Sequence, residues 1–401
     1  MRAMSWKQKD TVTGERVSTR RRFLGRAGRV AISAGFGGIV GTVAAQPASA
    51  ARAADAPTPR PQVTQLLDMS ADQQQLSRDY ATGLRLAFAE LAGRGVPAPQ
   101  VQSIETDGSP AAVRQALQAV RADGRQVALV GTAGEALALA SVSEAAQQQL
   151  DMAHVAPWLA DSRFDADPRL FALFASREEQ IRVVLRGLSV AGVSELGVIY
   201  PPGPRVAALQ AGMAAVAERL KLRTRNLVLQ AGKPLAQQAG ALPANAPYFL
   251  LFMGGAIELA LFTQGLGLGA ARHSLLCLSD VDTNTFTQLS PGQGVSVIFT
   301  DVVPNPRTSK LAVVRAYRDA LQRLFDEPPS TVSLAGYLAG RYAATVIAAA
   351  GPGASRARVL AEFQRRRPLD VDGWPLDFDA QGRGSRFVTQ TLLNTRGEFV
   401  G

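Results

Sequence analysis

The sequence predicts an α/β protein of two lobes, and three observations carry that prediction. Residues 126–160 run as strand, loop, helix, strand and loop, the grammar of a parallel βαβ unit. Two runs of such alternation are separated by the breaker Phe164-Asp165-Ala166-Asp167-Pro168. At 401 residues, 47% hydrophobic and 19% charged, the chain is long enough to bury two cores.

Taken in order, Val63 to Leu67 reads as the first strand. Leu76, Tyr80, Leu84, Phe88 and Leu91 follow at three- and four-residue spacings and form one apolar helix face. Val101 to Thr106 is the next strand and ends at Asp107-Gly108-Ser109-Pro110, where Ser109 can cap a helix that begins at Pro110. Val113, Leu117 and Val120 then face inward. The apolar run Val127 to Val130 stops at Gly131, and the turn Thr132-Ala133-Gly134-Glu135 opens an Ala/Leu-rich helix. Met152 to Ala156 is a strand that stops at Pro157-Trp158.

Beyond the breaker, Leu170 to Phe174 is a short strand, and Ile181, Val184, Leu185 and Leu188 mark a helix. Strands at Leu196–Tyr200 and Thr224–Leu229 flank a helix over Val206–Leu220. Tyr248–Phe252 and Ser274–Leu278 are strands with a helix between them, and Val295–Thr300 is a further β-rich run. Helices are expected at 309–325, 333–350 and 356–365. Leu376-Asp377-Phe378 and Arg386 to Leu393 read as short strands joined by Asp379-Ala380-Gln381-Gly382.

The net charge of +10 is concentrated at the start. Residues 1–50 hold nine Lys/Arg and two Asp/Glu, which leaves 34 against 31, or +3, for the rest. Such balance gives no electrostatic case for nucleic acid. Thr19-Arg20-Arg21-Arg22-Phe23-Leu24 resembles the twin-arginine export motif. A short Gly/Ala-rich apolar stretch follows it, and Ala48-Ser49-Ala50 offers small residues for cleavage before Ala51. The expectation is a signal peptide over 1–50, recognised by the Tat machinery and signal peptidase, and a lead-in over 51–60. The apolar stretch is shorter than the ~20 residues of a membrane span.

Other chemistry finds little support. Cys277 is alone, which rules out an intramolecular disulfide and a cysteine-based metal cluster. His154 and His273 lack metal-ligand spacing. The run from Gly265 to Gly269 follows a helix and precedes a strand, the wrong order for a dinucleotide fingerprint. There is no nucleophile elbow or Walker loop. No enzymatic activity, cofactor or metal is expected.

Across 61–401 the chain resembles the type I periplasmic binding proteins, in particular the leucine/isoleucine/valine-binding branch. The resemblance is carried by ALVGTAG with VAPWLAD, LGVIYPPG, LLFMGGAIELALFTQGLGLG and LLCLSDVD. The VVPNP turn, SLAGYLAGRY and WPLDFDAQGRGSRFVTQTLL complete it, in that order and spacing. It implies two Rossmann-like lobes joined by a hinge of three crossings, with ligand held between the lobes as they close. Lobe one would comprise 61–172 with 304–370, and lobe two 175–302 with 374–401. Pro304-Asn305-Pro306 and Asp370 to Trp374 would be hinge strands.

The resemblance also implies a function and a site. The function is capture of a small solute, an amino acid or related molecule, in the periplasm and its delivery to the permease subunits of an ABC importer. The alternatives are a ligand-binding module for a periplasmic sensor and an exported oxidoreductase. The first ligand loop would be Thr132, Ala133, Gly134 and Glu135, with Glu135 where the family carries a hydroxyl; Glu135 could equally serve the helix dipole, worth ~0.3–1 kcal/mol. The second would be Trp158-Leu159, where Trp158 either stacks on ligand or fills core. From lobe two would come Tyr200, the loop Gly254-Gly255-Ala256, which lacks the family's aromatic, and Asp280. Asp280 falls where the family holds an ammonium, or else caps a helix. These departures point to a ligand more apolar or less anionic than an α-amino acid.

Overall fold

Apolar runs too short for helices, and covered on both faces, become strands of a parallel sheet. In the computed structural model the described residues are 60–400, without 72, 191–192, 194, 204–205, 267–271, 290–293, 326 and 379–381. The expected signal peptide, all but the last residue of the lead-in, and Gly267–Gly269 lie outside them. β1 (Gln62–Asp68), α1 (Gln74–Gly93), β2 (Gln100–Thr106), α2 (Pro110–Ala122), β3 (Gln126–Val130), α3 (Glu135–Gln147), β4 (Ala153–Val155) and β5 (Leu170–Phe171) come first. Their strands pair in parallel in the order β2-β1-β3-β4-β5, so the winding reverses beside β1, a topological switch point. β3 and β4 are buried along their whole length. As expected, Ser109 caps α2 by accepting the Ala112 N–H, with Pro110 in the first turn.

The same winding then repeats. α4 (Arg177–Val190), β6 (Glu195–Tyr200), α5 (Val206–Leu220), β7 (Arg223–Val228), α6 (Leu235–Gly240), β8 (Phe249–Phe252), α7 (Ala256–Leu266), β9 (Ser274–Cys277), α8 (Thr283–Leu289) and β10 (Ser296–Asp301) follow. The strands pair in parallel as β7-β6-β8-β9-β10, the order of the first sheet over again.

Next come α9 (Ala312–Leu324), α10 (Thr331–Ala349) and α11 (Arg356–Gln364), then β11 (Leu369–Val371), β12 (Trp374–Leu376), β13 (Thr389–Leu393) and β14 (Phe399–Val400). The three helices pack on the first sheet, and β13 and β14 extend the second as antiparallel strands. α10 is long and apolar enough to cross a membrane, yet most of it is buried in the core. It lies against α1 so closely that a Cβ on Gly83 would stand 1.8 Å from the Ser333 carbonyl oxygen. A Cβ on Gly336 would stand 2.1 Å from that of Tyr80. Glycine on both helices is what lets the backbones meet.

Three stretches pass between the sheets, which the described residues trace at 172–176, at 302–311 and within 377–388, where 379–381 are not described. Pro304-Asn305-Pro306 lies in the second. Asp370 to Trp374, expected as a crossing, is instead the turn of the β11–β12 hairpin, with Asp372 and Gly373 at φ of 47° and 90°. Val371, Trp374 and Leu376 are buried in the first core, which moves the third passage to 377–388. β12 and β13 therefore join different sheets rather than pairing with each other. Arg383 fixes this passage. Its guanidinium donates to Asp165 Oδ2 at 2.7 Å and to the carbonyls of Leu159, Asp161 and Phe174 at 2.7, 2.8 and 3.0 Å. The breaker segment thus serves as a hinge anchor.

Candidate functional site

In a parallel sheet the loops after the strands emerge on one side, and here the loops of both sheets line a shared cleft. A pocket of about 60 Å³ is walled by Gly134, Glu135 and Trp158 from the first sheet's loops. Gly254, Gly255 and Asp280 face them from the second. A recess of about 340 Å³ adjoins it and shares Gln73, Glu135, Leu209, Met253 and Gly254. Together they suit a small solute, since pockets for small molecules run from ~300 Å³ upward.

One guanidinium spans the cleft. Arg177, the first residue of α4, donates from Nη2 to both carboxylate oxygens of Glu135 at 2.6 Å and to Asp280 Oδ2 at 3.2 Å. Glu135 stands at the start of α3 and Asp280 after β9, so the two acids come from opposite sheets. Burial works against the Arg177 charge, but the attraction of Asp280 and Glu135 outweighs it and holds the proton more firmly than usual. The backbone beneath is pinned as well, because Arg177 N–H donates to the Ala160 carbonyl at 2.9 Å. Gln180, one turn on, accepts from Ser279 N–H at 2.9 Å and from the Thr300 hydroxyl at 2.7 Å, which sets the loop that carries Asp280.

Both helix N-termini at the cleft carry a carboxylate of their own. Glu135 sits in the first turn of α3, and Glu258 in that of α7 accepts the Gly255 N–H at 2.8 Å. Each complements the positive end of its helix. Trp158 packs between Tyr80 and Phe174, ring centroids 6.1 and 5.2 Å away, and lines the pocket while almost wholly buried. It is mainly core.

Of the residues singled out from sequence, Gly134, Glu135, Trp158, Gly254, Gly255 and Asp280 line the pocket. Thr132, Ala133, Leu159, Tyr200 and Ala256 line neither recess. Thr132 is fully buried, its hydroxyl 3.0 Å from His154 Nε2. Burial pushes that imidazole down to about 4, against the opposing pull of Asp167, so it is neutral near pH 7. Ala133 pairs with Trp158 as an isolated bridge, and Leu159 is buried with its carbonyl bound to Arg383. Tyr200 ends β6 inside the second core; burial raises its hydroxyl to about 12, and that oxygen makes no hydrogen bond. Ala256 begins α7 just outside the pocket. Arg177, Gln180 and Glu258 were missed. Only Glu258 had a signal, an acid three residues beyond the strand-ending glycines.

Two doubly wound sheets joined by three passages, with a pocket between their loops, define a type I periplasmic binding protein. The periplasmic binding protein family matches residues 62–389, and the chain belongs to it. It is therefore a binding protein rather than an enzyme, of periplasmic or extracellular location. A substrate-binding periplasmic protein from Ralstonia solanacearum shares the fold, with 22% identity and a TM-score of 0.74 over 85% of this chain and 99% of that one. So does the branched-chain amino acid transporter substrate binding protein from Streptococcus pneumoniae in complex with isoleucine (13%, TM-score 0.69, 86% and 98%). A fatty acid ABC transporter substrate-binding protein from Thermomonospora curvata is also similar (14%, TM-score 0.68, 85% and 90%). No curated protein is significantly similar to the chain.

Proposed function

We propose that this protein captures a small organic solute between its two sheets and delivers it to the permease subunits of an ABC importer. The observation that carries the reading is the pocket itself, walled by Gly134, Glu135 and Trp158 on one side and Gly254, Gly255 and Asp280 on the other. Hinge closure about three passages would bring these walls onto the solute. Lobe one would be the first sheet with α9 to α11 and the β11–β12 hairpin, and lobe two the second sheet with its helices. Similar folds serve an isoleucine-bound protein and a fatty acid transporter protein, so the scaffold supports more than one ligand chemistry. Export by the twin-arginine route, with cleavage after Ala50, rests on Arg20-Arg21-Arg22-Phe23-Leu24 and Ala48-Ser49-Ala50.

The test is a thermal-shift screen of the exported, processed protein against amino acids, amides, amines, carboxylates and redox cofactors. A solute at about a hundred times its Kd stabilises the fold by ~2.7 kcal/mol. Small-angle scattering should then show a more compact particle. A shift with a nicotinamide or flavin alone, and no compaction with any small solute, would sink the reading.

A further inference from the structure

We infer that the solute is a small organic cation, an amine or guanidinium on a short aliphatic stem, with no carboxylate. The inference rests on the cleft proposed above as the ligand site and concerns its charge.

A zwitterionic or acidic ligand needs positive groups to receive its carboxylate, and in this cleft each of the usual ones is either bonded already or fronted by an acid. The α3 N-terminus faces the pocket behind Glu135, and the Gly255 N–H at the α7 N-terminus is taken by Glu258 Oε2 at 2.8 Å. Arg177 already holds Glu135 at 2.6 Å and Asp280 at 3.2 Å, and its side chain is only 10% exposed. Among the described residues that line the pocket and its recess there is no Lys or Arg. Asp68, Asp107, Glu135, Glu258 and Asp280 all line one or the other. Arg177 offsets part of this negative charge, and a concave site with low-dielectric walls focuses the imbalance that remains among the described residues on whatever enters. A ligand carboxylate would be repelled on both sides of the cleft.

A cation meets the opposite situation. Asp280 spends only Oδ2 on Arg177, and its side chain remains 30% exposed on the pocket wall. An ammonium or guanidinium can bond there while Arg177 stays in place. Trp158, Leu209, Phe252 and Met253 line the same space and offer apolar contact to methylenes. The Arg177 bridge does more than neutralise: it lets two acids from opposite sheets approach each other.

The experiment is isothermal titration of the exported protein with putrescine, agmatine and n-butylamine, set against leucine, glutamate, glutarate and acetamide. At least one of the three cations should bind. Its affinity should fall at least tenfold in Asp280→Asn, and fall again as sodium chloride is raised from 20 to 300 mM, while the carboxylates give no heat. Glu258→Gln should also weaken the cation. Tight binding of leucine, glutamate or glutarate would overturn the inference and leave the binding-protein reading standing. Acetamide binding that is indifferent to salt and to Asp280→Asn would do the same. Failure of all seven probes, with none of them compacting the particle in scattering, also overturns the cation assignment. The binding-protein reading fails separately, on the broader screen.

Discussion

Arg383 and Asp165 form an ion pair at 2.7 Å with both side chains less than a tenth exposed, 4% and 7%. They are far apart in sequence, one in the last passage between the sheets and the other in the loop before β5. The pair closes the hinge region on itself, helped by Gly382, whose φ of 89° no ordinary residue adopts easily. A Cβ there would stand 2.4 Å from the Asp165 carbonyl oxygen.

Arg383→Met should therefore take its guanidinium partner from a buried carboxylate and cost about 3–5 kcal/mol in chemical denaturation. Replacing both partners, Arg383→Met with Asp165→Leu, should recover a substantial part of that loss. A double variant no more stable than the single one would show that the carbonyl contacts of Arg383, rather than the pair, hold the passage.

Gly83→Ala should be among the most damaging methyl additions in the chain. The new Cβ would lie 1.8 Å from the Ser333 carbonyl oxygen, so α1 and α10 must separate. Overpacking of this kind costs about 1–3 kcal/mol or more. Gly93→Ala, near the end of the same helix with nothing within 4 Å, is the control and should be neutral or slightly stabilising. Thermal unfolding of the two variants distinguishes close packing from helix propensity, because propensity alone would favour alanine at both sites.

The sheets were legible because their strands are continuous apolar runs and their helices carry regular stripes. Val127–Val130 and Leu76-Tyr80-Leu84-Phe88-Leu91 state their element type without help from the rest of the chain. The hairpin at Leu369–Leu376 was not legible, since Asp372-Gly373 between short runs reads equally well as a crossing or a turn. About half of the residues singled out from sequence line the cleft, for a related reason. Loop glycines and Asp280 follow strand ends, which periodicity locates, whereas Thr132 and Tyr200 follow or end strands too and yet point into the interior. Which way the chain turns after a strand is a tertiary fact. Arg177 had no local signal at all, because its role depends on two acids, 42 residues before it and 103 after, that only folding brings together.

Acid should stabilise one part of the molecule. Asp79 is raised to about 6 by burial and by the nearby charge of Asp282, with hydrogen bonds from Gln75 and Ser330 opposing. Asp301 is raised to about 6 by burial, against hydrogen bonds with Thr391 and Thr331. Between 3.8 and about 6 the folded protein binds protons at these sites that the unfolded chain does not, so their contribution falls as pH rises through that window. The effect is at most ~1.4 kcal/mol per pH unit for each group. His154, lowered to about 4, acts in the opposite sense, and the comparison must remove it. The stability difference between Asp79→Asn and the parent does so, because His154 is common to both. The variant should gain on the parent as pH rises from 4 to 6.5 and hold steady above that. A difference flat across the whole range would mean that Asp79 is ionised throughout.

Arg177 offers the sharpest test of how the cleft is held. Its guanidinium is shared by Glu135 on the first sheet and Asp280 on the second. Arg177→Met removes one positive charge and leaves two carboxylates of opposite walls without their common partner. The loss should be roughly 2–4 kcal/mol, below the cost for a fully buried pair, since the Asp280 side chain is 30% exposed and water can screen it. The shape should change as well, because like charges across a hinge favour the open form; the radius of gyration should rise, more at low salt than at high. Adding Glu135→Gln abolishes the repulsion between these two carboxylates, so the double variant should be more compact than the single one and regain part of its stability, a coupling measurable in a double-mutant cycle. If Arg177→Met loses stability without any salt-dependent opening, the guanidinium is a local anchor for α4 through Glu135, and the walls are held by the hinge passages alone.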